Sequence, residues 1–193
     1  IYAGWRQRRK AYRTSWLYIN RVTIHAKSLS WRTMVTAAAL EKEKIWSILE
    51  TVTDPEIPVL TITDLGIVRD VKINGEKIEV IITPTYTGCP AMDMIAMNIK
   101  LALIENGFQH IKVTSVLSPT WTTDWMSEDG KRKLKEYGIA APDKRFNIPV
   151  EGVECPLCNS SSTRLVSEFG STACKALYQC NNCKEPFDYF KCH

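Results

Sequence analysis

Acidic residues are missing from the first 33 positions of this 193-residue chain, which carry eight Lys or Arg and no Asp or Glu. The whole chain has a formal charge of +4, so the remainder is at −4, and a nucleic-acid footprint is not built into its body. Histidine is scarce: His25 falls in the basic stretch and His193 ends the chain, leaving His110 as the one general-base candidate, at a position better suited to the surface. Long apolar runs are absent. Stretches such as Val80 to Ile82 or Leu101 to Ile104 fall far short of the roughly 20 residues a membrane-spanning helix needs. With no secretory signal pattern either, a soluble, cytoplasmic protein is expected. Glycine and proline number only 9 each against 45% hydrophobic residues, which excludes disorder as the default. The length leaves room for one ordinary domain and a small appendage.

The first methionine is Met34, just before the onset of helical patterning at residues 37–41. Residues 1–33, with Trp5, Trp16 and Trp31 among arginines, are therefore expected to lie outside the native fold. They read as sequence translated ahead of the true start or an expression remnant, an Arg-rich targeting segment, or a basic arm for RNA or an acidic partner.

From Leu40 to Val52, Ile45, Ile48, Leu49 and Val52 follow the i, i+3, i+4, i+7 spacing of a helix with one buried face. Asp54-Pro55 ends it, because proline disfavours the α conformation in the preceding residue. The stiff loop that follows presents Asp54 and Glu56, and Asp64 and Gly66 precede a strand expected at Ile67 to Ile73. Asn74-Gly75 predicts a type I′ hairpin turn. The return strand, Lys77 to Thr83, has Ile78, Val80 and Ile82 on one face and a half-polar other face, which suits a central position. A helix from Cys89-Pro90 to Asn106 buries Met92, Ile95, Ala96, Ile99, Ala102 and Leu103, and a third strand spans Ile111 to Leu117. This order predicts an α/β (α+β) domain over residues 40–138, a small two-layer sandwich with a mixed sheet. A short helix from Glu128 to Tyr137 ends it at Gly138, and residues 139–152 read as a linker.

Proline is favoured as the first helical residue, which would make Cys89 the N-cap of its helix. The unpaired N–H groups there favour a thiolate, hence a nucleophile, a redox sensor or a soft-metal ligand, while the alternative is a small buried side chain. A phosphatase-type loop would need an arginine where Ile95 stands, and thioredoxin-like chemistry a cysteine where Met92 stands.

Six of the seven cysteines follow residue 150. Cys155-Pro-Leu-Cys158 and Cys180-Asn-Asn-Cys183 are two C-x2-C knuckles separated by 21 residues, close to the spacing of a zinc ribbon. Together they supply the tetrahedral S4 set of a structural zinc site, over residues 153–193. A segment of about 40 residues cannot fold on so small a core unaided, so the metal is a folding requirement. Iron-sulfur ligation and disulfides are the alternatives the same residues allow. Cys174 and Cys192 are spare. Cys174 is either a packed thiol or an additional thiol facing a second site.

Asp54-Pro55-Glu56, Asp64-Leu65-Gly66 and Thr87-Gly88-Cys89-Pro90 resemble the signatures of the iron-sulfur-assembly domain shared by SufT-like proteins and cytosolic iron-sulfur targeting factors. Adding the segments 84–90, 121–126, 167–178 and 185–191, the chain from about Glu41 onward resembles the D-protein family of bacterial phenylacetate degradation. The resemblance implies an accessory or maturation role for the phenylacetyl-CoA 1,2-epoxidase. Its monooxygenase and reductase subunits would be partners, with a homodimer also among the expected assemblies. Cys89 would hold iron or an iron-sulfur cluster transiently, with Asp54, Glu56 and Asp64 as loop carboxylates. The chain has no di-iron Glu-x-x-His pair and no G-x-G-x-x-G fingerprint, so it is not expected to be catalytic itself. One thiolate is too few for a stable cluster. In this reading the ribbon docks a partner through Phe187, Tyr189 and Phe190, unless those rings fill its own core. A noncatalytic structural subunit and a nucleic-acid-binding ribbon with a basic arm are the competing functions.

Overall fold

The computed structural model describes residues 39–142 and 152–191. The basic extension 1–33, His25, Cys192, His193 and most of the expected linker lie outside the described residues.

Helix α1, residues 39–49, buries Ile45, Ile48 and Leu49 at the predicted spacing. Strands β1 (Val68–Asn74) and β2 (Lys77–Ile82) form the hairpin, and β2 is the central strand of a β1-β2-β3 sheet. Ile78, Val80 and Ile82 are all buried. The turn differs in type. Asn74 pairs with Lys77, so Gly75 and Glu76 are the central residues. Gly75 alone has positive φ, +61°, the pattern of a II′ turn rather than the I′ turn expected from Asn-Gly.

Helix α2 (Ala91–Glu105) crosses over to β3 (Ile111–Ser115), which pairs parallel with β2. It buries Ala91, Ile95, Ile99 and Leu103, while Met92, Ala96 and Ala102 are half-buried against the same core. Fully burying one such aliphatic side chain contributes about 1.5–3 kcal/mol.

The end of the sheet where β2 and β3 terminate carries the loops of interest. Thr83 N–H donates to the Ile67 carbonyl at 2.8 Å and Val116 N–H to the Ile82 carbonyl at 2.9 Å, so the segments entering β1 and leaving β2 and β3 emerge together. Open α/β sheets bind ligands at the carboxyl ends of their strands.

A 3-10 turn (Thr123–Trp125) and helix α3 (Glu128–Glu136) follow. Ser127 caps α3, its hydroxyl accepting from Gly130 N–H at 2.8 Å. The segment expected to be a linker from 139 begins instead with strand β4 (Ile139–Ala140), which pairs parallel with β7 (Pro186–Phe190). With β5 (Thr163–Ser167) and β6 (Lys175–Cys180) these form a second sheet, ordered β4-β7-β6-β5. Both sheets belong to one compact unit.

Phe187, Tyr189 and Phe190 are 4%, 4% and 2% exposed, so they are interior residues and not docking anchors. Tyr178 stacks on Phe187 and meets Tyr189 edge-on, while Phe190 meets Trp121 of the first domain edge-on at 6.2 Å. Other apolar side chains of the segment, Leu157, Val166 and Phe169, stay exposed. Among the described residues no helix is long and apolar enough to cross a membrane.

Candidate functional site

The ribbon cysteines converge. Cys155 Sγ lies 3.8 Å from Cys183 Sγ, Cys158 Sγ lies 3.6 Å from Cys180 Sγ, and all four sulfurs fall within 4.8 Å of one another. A tetrahedral zinc with bonds of about 2.3 Å has sulfur–sulfur edges of about 3.8 Å, so the set fits zinc as it stands. The knuckle divides its charge unevenly. Although burial opposes it, N–H groups of Cys183 and Asn182 and the Cys158 side chain pull the Cys180 thiol down to about 6. Against the Glu185 N–H, burial and the other three sulfurs push the Cys183 thiol up to about 12.

Cys89 sits one residue outside the expected place. The N-cap of α2 is Pro90, already in the helical region at φ −69° and ψ −21°, and Cys89 precedes it. Its sulfur still accepts from the Ala91 N–H, the contact a capping residue makes, and from the Tyr86 hydroxyl. Of the two readings of Cys89, the balance of its surroundings favours the small buried side chain over the stabilised thiolate. Burial first, then the Glu56 and Asp54 carboxylates, push the Cys89 thiol above its ordinary value, outweighing the two hydrogen bonds.

The carboxylates divide into two groups. Asp54 is buried, and its Oδ1 accepts from the N–H groups of Glu56 and Ile57, each at 2.8 Å. That bond pair bends the chain at Pro55, while the bridge between Thr53 and Thr61 closes the loop behind it. Burial raises the Asp54 carboxyl, and its two backbone bonds only partly offset this. Glu56 is held by the turn facing the thiols: Cys174 Sγ donates to Glu56 Oε2 at 3.5 Å. Cys174 is 6% exposed and joins the core of the first domain. Burial drives its thiol up to about 11, and Glu56 adds to the rise. Tyr86 is pushed up to about 12, by burial and then by the charges of Cys89 and Cys174. Thus the Asp54 and Glu56 carboxylates disfavour ionisation of both Cys89 and Cys174, while the Tyr86 hydroxyl favours that of Cys89.

Asp64 has other partners. Lys133 Nζ donates to its Oδ2 at 2.7 Å, Ser127 Oγ to its Oδ1 at 2.9 Å, and Thr61 N–H to its Oδ2 at 3.1 Å. Burial would raise it, but these bonds win and hold it below the usual carboxylate range. Its neighbours do parallel work. Trp121 Nε1 donates to the Leu65 carbonyl at 2.8 Å, and a Cβ on Gly66, where φ is +67°, would lie 2.1 Å from the Trp125 carbonyl oxygen. Asp64-Leu65-Gly66 therefore fastens the Trp121–Trp125 segment and α3 to the sheet end. Of the four residues expected around iron, Asp54 and Glu56 act on Cys89 through their charge, while Asp64 is bound to Lys133 and Ser127 and braces the scaffold.

Residues 141–191 match a model described as the PaaD zinc beta ribbon domain, and residues 42–116 match one described as an iron-sulfur cluster assembly protein. The provisional D component of 1,2-phenylacetyl-CoA epoxidase from Escherichia coli (strain K12) is 51% identical over 162 residues, 82% of this chain and 98% of the relative. The chain belongs to the PaaD family. Its first domain is also similar to an Fe-S protein maturation auxiliary factor of Porphyromonas gingivalis (strain ATCC BAA-308 / W83), at 34% identity over 48% of this chain and 90% of that protein. The crystal structure of a domain of unknown function, DUF59, from Bacillus anthracis aligns at 32% identity and a TM-score of 0.46, over 48% of this chain and 90% of that one.

Two features of this PaaD homologue's site carry no clear local sequence signal. Tyr86 bonds Cys89 from within the same loop, but nothing in its spacing marks it as a partner. Thr83 is buried, and its hydroxyl finds no hydrogen-bond partner among the described residues. It lines an open groove of about 430 Å³ walled by Tyr86 and Thr87 on one loop and Phe169 and Ala173 on another.

Proposed function

We propose that this PaaD homologue is a maturation factor for the phenylacetyl-CoA epoxidase, carrying iron or an iron-sulfur cluster at Cys89 to the oxygenase or reductase subunits. Kinship to the D component of an epoxidase and to an iron-sulfur maturation factor supports the client and the task. The observation that carries the reading is that Cys89, packed against the main core beside the start of α2, feels the charges of Glu56 and Asp54, which a cation would relieve. The zinc of the ribbon is structural, and its four sulfurs leave no position open for exchange.

The test is coexpression of the epoxidase subunits with wild-type protein or with Cys89→Ala, both checked for fold and zinc. Client iron and epoxidase activity should fall with the variant while its own zinc stays. Full client iron and activity with a folded Cys89→Ala would leave a noncatalytic structural subunit, a reading favoured by the packing of Cys89 against the main core.

A further inference from the structure

Helix α2 is apolar on two faces. One, with Ile95 and Ile99, is turned into the core, while Met94, Met97, Leu101 and Ile104 stand on the other, each 48–57% exposed. Their spacing is that of successive a and d positions in a coiled-coil heptad, a stripe of the width that seats one further helix. Four large, half-exposed apolar side chains in one row make a patch of about 400 Å², the size at which an exposed patch marks an interaction site. With Met94 at a, Asp93 and Lys100 fall at g, and Asn98 and Glu105 at e, flanking the stripe on either side. Asp93, Lys100 and Glu105 are exposed, and among the described residues they make no ion pair within the chain.

We propose that a second copy of this chain covers the stripe, the two α2 helices lying side by side and parallel about a two-fold axis. The partner must offer apolar side chains at the same spacing, and a second α2 does so by identity, because a two-fold interface sets the same patch on both sides. Charge selects the orientation. In a parallel pair each g residue meets the e residue of the following heptad on the other helix. Lys100 thus meets Glu105 of the second copy and Asp93 meets Asn98 of the second copy, each contact formed twice by symmetry. An antiparallel pair that stacks all four apolar layers would instead bring the two Lys100 side chains together, a like-charge contact. The two stripes bury about 800 Å² of apolar surface, which the flanking side chains carry toward the roughly 1,200 Å² where specific, stable interfaces begin. The pairing stands independently of the maturation reading. It also puts both Cys89 residues, each just before its own α2, at the same end of the dimer.

The experiment is sedimentation velocity of the full, zinc-loaded chain over a concentration series, which should show a dimer that dissociates on dilution. Leu101→Glu places a charge in the middle of the seam and should raise the dissociation constant by about 30-fold or more. Its zinc content and circular dichroism should match wild type, because Leu101 is exposed in the single copy. Lys100→Glu and Glu105→Lys should each weaken the dimer, and the double exchange should restore it, as only the parallel pairing allows. A chain that is monomeric at every concentration overturns the proposal, and so does a dimer that Leu101→Glu leaves intact. A double exchange that fails to restore the dimer overturns the parallel arrangement. A monomer that binds added epoxidase subunits, and loses them with Leu101→Glu, gives the stripe to a client and overturns the second copy.

Discussion

The two cysteine clusters of this chain differ in how their ligands arrive. In the ribbon, two local turns each supply two sulfurs, and two of the sulfur pairs already stand at the spacing of a zinc tetrahedron. At the sheet end, Cys89, Glu56 and Cys174 come from three separate segments, and burial together with nearby carboxylates pushes both thiols up. The first arrangement holds a metal for good, and its free energy of binding is folding free energy. The second, in the maturation reading proposed above, is where a metal would be passed on.

The sharpest way to probe that contrast is to remove the ribbon's metal. Structural zinc contributes apparent folding energy of about 10–16 kcal/mol in small domains. Cys180→Ser or chelation should therefore abolish ordered packing of Tyr178, Phe187 and Tyr189, followed by near-ultraviolet circular dichroism. Because Phe190 and Cys174 sit in the first domain's core, the melting of that domain should fall as well.

Next in size is the scaffold that both sites share. Gly66→Ala places a Cβ against the Trp125 carbonyl at a positive φ and should destabilise the chain by about 3 kcal/mol or more in denaturant titration. Wild-type stability would refute the bracing role of Asp64-Leu65-Gly66.

Asp64 sets an acid limb. Its folded carboxyl is held below the usual range, so its stabilisation is present above the unfolded carboxylate value of about 3.9 and is lost as pH falls through the lower folded value. Asp64→Asn should cost roughly 1–3 kcal/mol at neutral pH and flatten the stability profile between about pH 5 and the acid range. An unchanged profile would put the acid transition elsewhere.

The smallest effect is expected at Cys89. Cys89→Ala should change the unfolding free energy by only about 1 kcal/mol or less, because Cys89 is half-buried and adds little to the core. A loss as large as that of Gly66→Ala would make Cys89 a structural residue and erase the contrast.

Local signals made the frame legible. The alternation Ile78, Val80, Ile82 marked β2 as central, and the C-x2-C spacing marked the zinc set, because in each case the pattern and the contact lie in the same few residues. The turn type escaped because Asn74 stayed in the strand ladder and left Gly75 to take the positive φ. Of the two readings of Cys89, the thiolate lost ground for a similar reason. The helix-start contact is there, but burial and Glu56, set by tertiary packing, outweigh it. The tasks of Asp64 and Cys174 were the least legible, since their partners, Lys133 and Glu56, lie 69 and 118 residues away.

The central claim is that Cys89 is a working ligand for iron in transit, and reductase cluster content measures it most directly. Coexpressed with zinc-replete Cys89→Ala, the reductase should be short of iron and sulfide relative to wild type, with epoxidase activity falling in step. A reductase fully loaded alongside a folded, zinc-replete variant would contradict the account.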